Sequence, residues 1–291
     1  MALAATATAL AGPKPVRDHI VDVLIAERAP RLAATPLWPV LRPALYALLD
    51  YGKARRMADA IASKGGHEAL EFISNLLGVQ LDVRGLENVP RSGRLIVVAN
   101  HPTGIADGVA VYDALKAIRP DLVFYANADA HRIAPRLIER LIPVEWVEEK
   151  RTRERTRVTL TMTREALEAE RALVIFPAGR IARVQPAGGA ADLDWAPTPF
   201  SLARRYESPV LPIHVAGPWS GLFHFFHGFS TELRDITLFH ELLNKRGKAF
   251  RLTIGPPIEP GVLPASADEA AAAAKAYVER VLPSQPQRGF P

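Results

Sequence analysis

The rhythm of apolar and polar positions changes near residue 79. Between residues 16 and 77 apolar side chains recur at helical intervals, and within 43–61 Leu45, Leu48, Leu49, Met57 and Ile61 return to one face with Lys53, Arg55 and Arg56 between them. This stretch is expected to pack on the domain as a helix or, with cations beside its apolar residues, to dock on anionic lipid. Gly65-Gly66 ends it, and 67–77 predicts another helix.

Beyond Gly78 strands take over. Val79-Gln80-Leu81-Asp82-Val83 alternates as a half-buried strand does, whereas Leu95-Ile96-Val97-Val98-Ala99 is a continuous apolar run, the mark of a strand covered on both faces. Residues 107–118 read as a helix, 122–125 as a strand, 133–141 as a short helix, and 148–171 as a long charged helix with Val158, Met162, Ala166 and Ala169 inward. Strand signals return at Leu173-Val174-Ile175-Phe176, 209–215 and 251–254, and the Ala-rich stretch 265–282 closes as a helix. Strands alternating with helices predict an α/β fold with a central, mostly parallel sheet flanked by helices, preceded by a helical N-terminal segment. The expected divisions are 1–79 for that segment, 80–283 for the α/β domain and 284–291 for a tail.

Composition narrows the chemistry. With 48% hydrophobic residues in 291 the chain has material for a real core, and the absence of cysteine excludes disulfides, thiolate catalysis and cysteine-bound zinc or iron–sulfur groups. The formal charge of +5 favours anionic partners: nucleic acid, an acidic membrane surface or phosphorylated substrates. The basic residues are spread along the chain without a nucleic-acid motif, which argues against the first. No stretch reaches the roughly 18 to 20 apolar residues of a spanning helix, and the nearest, 38–49, is short and carries Arg42. Residues 1–12 are Ala/Thr-rich, but Lys14 and Arg17 follow them instead of preceding them, so a disordered tail is expected rather than a secretory signal.

Candidate chemistry sits in Asn100-His101-Pro102-Thr103-Gly104-Ile105-Ala106-Asp107-Gly108, between the buried strand and the next helix. A neutral imidazole takes a proton from an alcohol, and a carboxylate on its other nitrogen fixes the tautomer and stabilises the imidazolium. No serine with elbow glycines accompanies the pair, so the attacking hydroxyl is expected to belong to the substrate. The plainer alternative is that Asp107 merely caps the helix it opens. A second loop with the same placement follows Phe176: Pro177-Ala178-Gly179-Arg180-Ile181-Ala182-Arg183 offers backbone N–H groups near Gly179 for a phosphate or oxyanion, and two guanidinium groups for an anionic acceptor.

These blocks resemble the glycerolipid acyltransferase family of the lysophosphatidic-acid type, which carries an Asn-His motif with a downstream Asp, a Phe-Pro-Glu-Gly-Thr-Arg block after a later strand, and a last strand block of Val-Pro-Val/Ile form, here Val210-Leu211-Pro212-Ile213. The resemblance covers about residues 80–260. Five residues, Pro102 to Ala106, separate His101 from Asp107, one more than is usual, and Ala178 stands where the family has Glu while Arg180-Ile181 stands where it has Thr-Arg. The resemblance implies O-acyl transfer from acyl-CoA or acyl-carrier protein to a lysophospholipid or related acceptor, with His101 and Asp107 catalytic and Asn100, Thr103, Gly104, Gly179, Arg180 and Arg183 binding substrate. No metal or cofactor is implied beyond the thioester, and a cytoplasmic location with peripheral attachment to an anionic membrane is expected. A lipid-binding homologue without catalysis is the alternative, for which Ala178 speaks.

Three further features are open. The cluster 150–157 reads as a solvated helix start, with a Glu149–Arg153 pair, or as a contact for donor phosphates or lipid headgroups. His224 and His227 have a spacing seen in metal sites but no third ligand nearby. Trp219, Phe223, Phe225, Phe226 and Phe229 read as core, or as an acyl tunnel or membrane-facing lip in a glycine-flanked loop.

Overall fold

A computed structural model describes residues 18–145, 152–185 and 189–291. The expected tail at 1–12, together with Lys150, Arg151 and the Glu149 pair, lies outside the described residues.

Seven strands form one sheet in the order β1-β9-β8-β2-β5-β3-β4: β1 (Gln80–Arg84), β2 (Leu95–Ala99), β3 (Val123–Asn127), β4 (Leu141–Val144), β5 (Ala172–Ile175), β8 (Val210–Ala216) and β9 (Ala249–Ile254). The five from β8 to β4 are parallel, and β9 runs antiparallel to β8 while pairing in parallel with β1. A two-stranded hairpin, β6 (Arg183–Val184) with β7 (Ala190–Ala191), stands apart. The fold is therefore the α/β arrangement expected, with a mostly parallel sheet.

The period-two geometry of a strand explains how one run of apolar residues builds two cores. Leu95, Val97 and Ala99 enter the layer formed with α1 (Ile20–Arg28), α4 (Tyr51–Ile61), α5 (Gly66–Leu77), α6 (Ile105–Leu115) and α12 (Leu238–Leu243). Ile96 and Val98 enter the opposite layer, with α8 (Arg153–Glu168), α9 (Thr198–Arg205) and α13 (Ala267–Ala276). All five are fully buried, each large aliphatic one contributing about 1.5–3 kcal/mol. Edge strand β1 instead alternates exposed and half-buried positions.

Four expectations change. Residues 43–61 are not one helix: Asp50 is left-handed (φ 55°) and divides α3 (Trp38–Leu48) from α4, its carboxylate meeting Lys53 and His240. The expected helix at 133–141 is α7 (Asp129–Ile133), a 3₁₀ turn over Pro135–Glu139 and then β4, whose Pro143 is tolerated because β4 is an edge strand. Helix α8 turns inward a face rotated from the expected one: Ala166 is buried and Met162 packs on the core as expected, but Thr163 and Leu167 are buried where Val158 and Ala169 are exposed. The hydroxyls on that face are satisfied, Thr159 donating to the Pro143 carbonyl and Thr163 pairing with Tyr125, so polarity did not keep it in water. The aromatic run, read as a loop, is helix α10 (Gly221–His227), followed by α11 (Thr231–Asp235). Residues 284–291 fold back on the body, where the Tyr277 hydroxyl donates to the Arg288 carbonyl and Phe290 meets the Tyr277 ring edge-on.

Candidate active site

The parallel strands deliver the loops after β2, β5 and β8 to one edge of the sheet. Asn100 fastens the first to the third: its Nδ2 donates to the Val215 carbonyl (2.9 Å) and its Oδ1 accepts the Val215 N–H (2.6 Å). Both functions of the buried amide are engaged in the scaffold, so Asn100, expected to bind substrate, serves instead as the clasp that extends the β2–β8 ladder. Thr103 is similarly occupied, its N–H (2.8 Å) and Oγ1 (2.6 Å) both donating to Asp107. Gly104 donates its N–H to the same carboxylate (2.9 Å) at φ 86°, and a Cβ there would stand 2.9 Å from Ile181. Only glycine allows that bend and that approach of the second loop.

Asp107 lies at the third position of α6, fully buried. Capping and proximity to the histidine, posed as alternatives above, coexist in the same carboxylate: while it holds the loop amides, Oδ2 lies 3.0 Å from His101 Nδ1. The two are within ion-pair distance but off the line of a straight N–H···O bond. The His101 ring stacks on Phe176 at 4.5 Å and 29°, and its other nitrogen, Nε2, has no hydrogen-bond partner among the described residues and is not sealed in.

A group that sequence reading missed holds the histidine from behind. The His101 N–H donates to both oxygens of buried Asp192 (3.0 and 3.2 Å), whose Oδ2 also accepts from Trp195 Nε1 (2.9 Å). The Asp192 N–H in turn donates to Glu279 Oε1 (2.7 Å). Burial pushes the Asp192 carboxyl up to about 6, against the lowering effect of the His101 and Trp195 donors. Its only signal in sequence is an acidic residue in a polar stretch just before a tryptophan.

The loop after β5 is locked against the first by Ala182 N–H donating to the His101 carbonyl (2.9 Å). Gly179 departs from expectation. Its N–H closes a turn onto the Phe176 carbonyl (2.9 Å) at φ 63°, so its contribution is the bend and not an oxyanion donor. Arg180 is exposed, and Arg183 is half-buried with its guanidinium 5.4 Å from the centre of the Phe223 ring. Burial first, then the charges of Arg234 and Arg180, hold the Arg183 guanidinium below its ordinary value.

Helix α10 covers this corner, burying Phe223 and Phe226 and leaving Phe225 exposed beside Phe229 and Trp219. His224 stacks on Trp219 at 4.1 Å, while His227 Nδ1 meets Arg234 Nη1 at 3.1 Å; the two histidines face different partners. The described part of the basic cluster lies on α8, where Arg155 pairs with Glu145 and Arg153 and Arg157 line an open groove of about 610 Å³ with Arg164 and Arg205.

Against known proteins, residues 80–216 match a family model described as Acyltransferase. A lyso-glycine lipid O-acyltransferase of Phocaeicola vulgatus is 30% identical over 206 residues, 67% of this chain and 70% of the relative. A lyso-glycine lipid O-acyltransferase of Bacteroides thetaiotaomicron is 27% identical over 201 residues, 67% of this chain and 72% of the relative. Among solved structures, a 1-acyl-sn-glycerophosphate (LPA) acyltransferase, PlsC, from Thermotoga maritima aligns over 93% of this chain and 99% of its own, with 18% identity and a TM-score of 0.47.

Proposed function

The chain belongs to the glycerolipid acyltransferase family and is an O-acyltransferase, and from that premise we propose that it moves a fatty acyl group from acyl-CoA or acyl-carrier protein to the hydroxyl of an anionic lysolipid. The observation that carries this reading is the pair of His101 nitrogens in unlike surroundings: Nδ1 faces a buried carboxylate and Nε2 is left for a guest.

In the proposed reaction Nε2 takes the proton from the acceptor hydroxyl as its oxygen attacks the thioester carbonyl. Asp107 supports the imidazolium that forms, much as an orienting carboxylate does in hydrolase triads. The tetrahedral oxyanion then expels the thiolate, the C–S bond breaks, and the imidazolium returns its proton to sulfur. The thioester supplies the activated carbonyl, so the scheme uses no metal or other cofactor. The lyso-glycine lipid named for the two relatives is one candidate acceptor, and a lysophospholipid is the other.

Attachment to an anionic membrane from the cytoplasmic side is part of the proposal. No helix among the described residues is long and apolar enough to cross a membrane. The support is in the surface: α3 buries none of its residues, and Leu37, Val40, Leu41 and Leu48 are exposed along it beside Arg42.

The test is incubation of the purified protein with palmitoyl-CoA or palmitoylated carrier protein against a panel of lysolipids, reading released thiol and acylated product. Thiol release that needs both protein and lysolipid, with one ester formed per thiol, is expected. Absence of acyl transfer to every lysolipid on the panel overturns the proposal.

A further inference from the structure

Beside the catalytic loop, two guanidinium groups from distant parts of the chain converge on one aromatic ring. Arg183, next to the Ala182 amide that holds the His101 carbonyl, lies 5.4 Å from the Phe223 centroid, and Arg234 of α11 lies 5.9 Å from the same centroid. Arg234 is placed firmly: Nε donates to Asp235 Oδ1 (2.7 Å), Nη2 lies 2.6 Å from the same oxygen, and Nη1 meets His227 Nδ1 (3.1 Å). Burial, Arg183 and Arg234 all hold the His227 imidazole below its ordinary value, which leaves it neutral and able to accept that bond. After these contacts one N–H on each terminal nitrogen of Arg234 has no acceptor among the described residues.

Arg183 is unlike its partner. Its Nη1 is buried and has no hydrogen-bond acceptor among the described residues. One terminal nitrogen of a half-buried guanidinium is thus left without an acceptor, while the group as a whole rests over the Phe223 ring. The charges acting on Arg183 are Arg234 and Arg180, which oppose its own, and Asp235, which is itself paired with Arg234, so positive charge is in excess around it. Asp235 is already bonded to Arg234, so the unfilled position is on Arg183.

We infer that Arg183 and Arg234 form a two-armed clamp for the anionic headgroup of the acceptor, a phosphate monoester or a terminal carboxylate, with Phe223 as its floor. The inference rests on the proposed lysolipid acceptor and specifies which end of that acceptor is read and by what. Arg234 thereby joins the site as a specificity-determining residue. The clamp also accounts for the loss of the family's Thr-Arg in the loop: Ile181 packs over Gly104, and the cation is supplied two residues later and from α11. Guanidinium pairs suit planar or tetrahedral oxyanions because their N–H donors meet two oxygens at once.

The experiment compares the full-length protein with Arg183→Gln, Arg234→Gln, Arg234→Lys and, as a charge control on an exposed loop, Arg91→Gln. Palmitoyl-CoA is the donor; the acceptors are lysophosphatidic acid, a lysolipid ending in a glycine carboxylate, and uncharged monoacylglycerol. The readout is the ratio of kcat/KM for each anionic acceptor to that for monoacylglycerol. Arg183→Gln and Arg234→Gln are each expected to lower that ratio about tenfold or more, chiefly through KM, with Arg234→Lys recovering part of it and Arg91→Gln matching wild type. The arm that falls further identifies phosphate or carboxylate as the headgroup.

A second measurement separates failure of the clamp from failure of the lysolipid reading. Inorganic phosphate is expected to raise the melting midpoint of wild type and not that of Arg183→Gln. Equal stabilisation of both by phosphate, or ratios within twofold of wild type in both Gln variants while acyl transfer itself persists, overturns the clamp. If no lysolipid is acylated, the phosphate titration alone decides it.

Discussion

At the scale of single residues the histidine and its carboxylate were legible because their types, their order and their place after a buried strand all pointed the same way. Replacement of His101 by Ala removes the proposed general base without removing core, and turnover is expected to fall about 10²- to 10⁴-fold with the far-UV spectrum unchanged. A rate at least half that of wild type would remove His101 from the mechanism. Asp192 escaped sequence reading because, apart from nearby Trp195, its partners, the His101 amide and Glu279, meet it only in three dimensions. Its raised pKa carries a signed prediction. The folded state holds the Asp192 proton more tightly than the unfolded chain, so its contribution is fully present below pH 4 and is lost as the pH rises through about 6, a change of about 3 kcal/mol at most. Melting midpoints of wild type and Asp192→Asn between pH 4 and 7.5 test it: the wild-type midpoint, relative to that of the variant, should fall across this range. A constant difference would mean that Asp192 does not titrate there.

At the scale of elements, long runs with one clear period were readable and short or mixed ones were not. Strands β2 and β5 announce themselves as unbroken apolar runs because helices cover both faces, and β8 stays legible through Val210, Leu211, Ile213 and Val215 despite Pro212 and His214. Strand β4 holds a proline, and α8 buries a threonine stripe whose hydroxyls find partners, so neither pattern looks apolar in one dimension. The reversal of β9 against β8 has no counterpart in hydrophobic pattern at all. Tight junctions between elements also set the site. A Cβ on Gly217, just past β8, would lie 2.6 Å from both Phe250 and Thr103 Cγ2. Gly217→Ala is therefore expected to push Thr103 from its bond to Asp107 and to lower stability by about 1–3 kcal/mol, with kcat falling alongside. Denaturant unfolding and turnover are the measurements, and a fully active variant of wild-type stability would show that the junction yields.

At the scale of the whole molecule, α3 carries a cluster of exposed apolar residues and one sheet edge carries the candidate site. Exposed Val40 and Leu41 on α3 are part of that cluster, alongside Arg42. Val40→Glu with Leu41→Glu is expected to reduce flotation with phosphatidylglycerol-containing vesicles several-fold while leaving the melting midpoint within a few degrees, since neither side chain is in the core. Unchanged flotation would move the attachment elsewhere. The helical segment was foreseeable from its periodicity, whereas its division at Asp50 depends on Lys53 and on His240, a contact far along the chain.

The bracing of the catalytic loop has a consequence for how the protein is made. The His101 amide waits on Asp192, 91 residues further along, and the Asp192 amide waits on Glu279, another 87 beyond. A chain in which only β2 and α6 have been synthesised lacks both braces, so the setting of this loop depends on long-range closure of the fold.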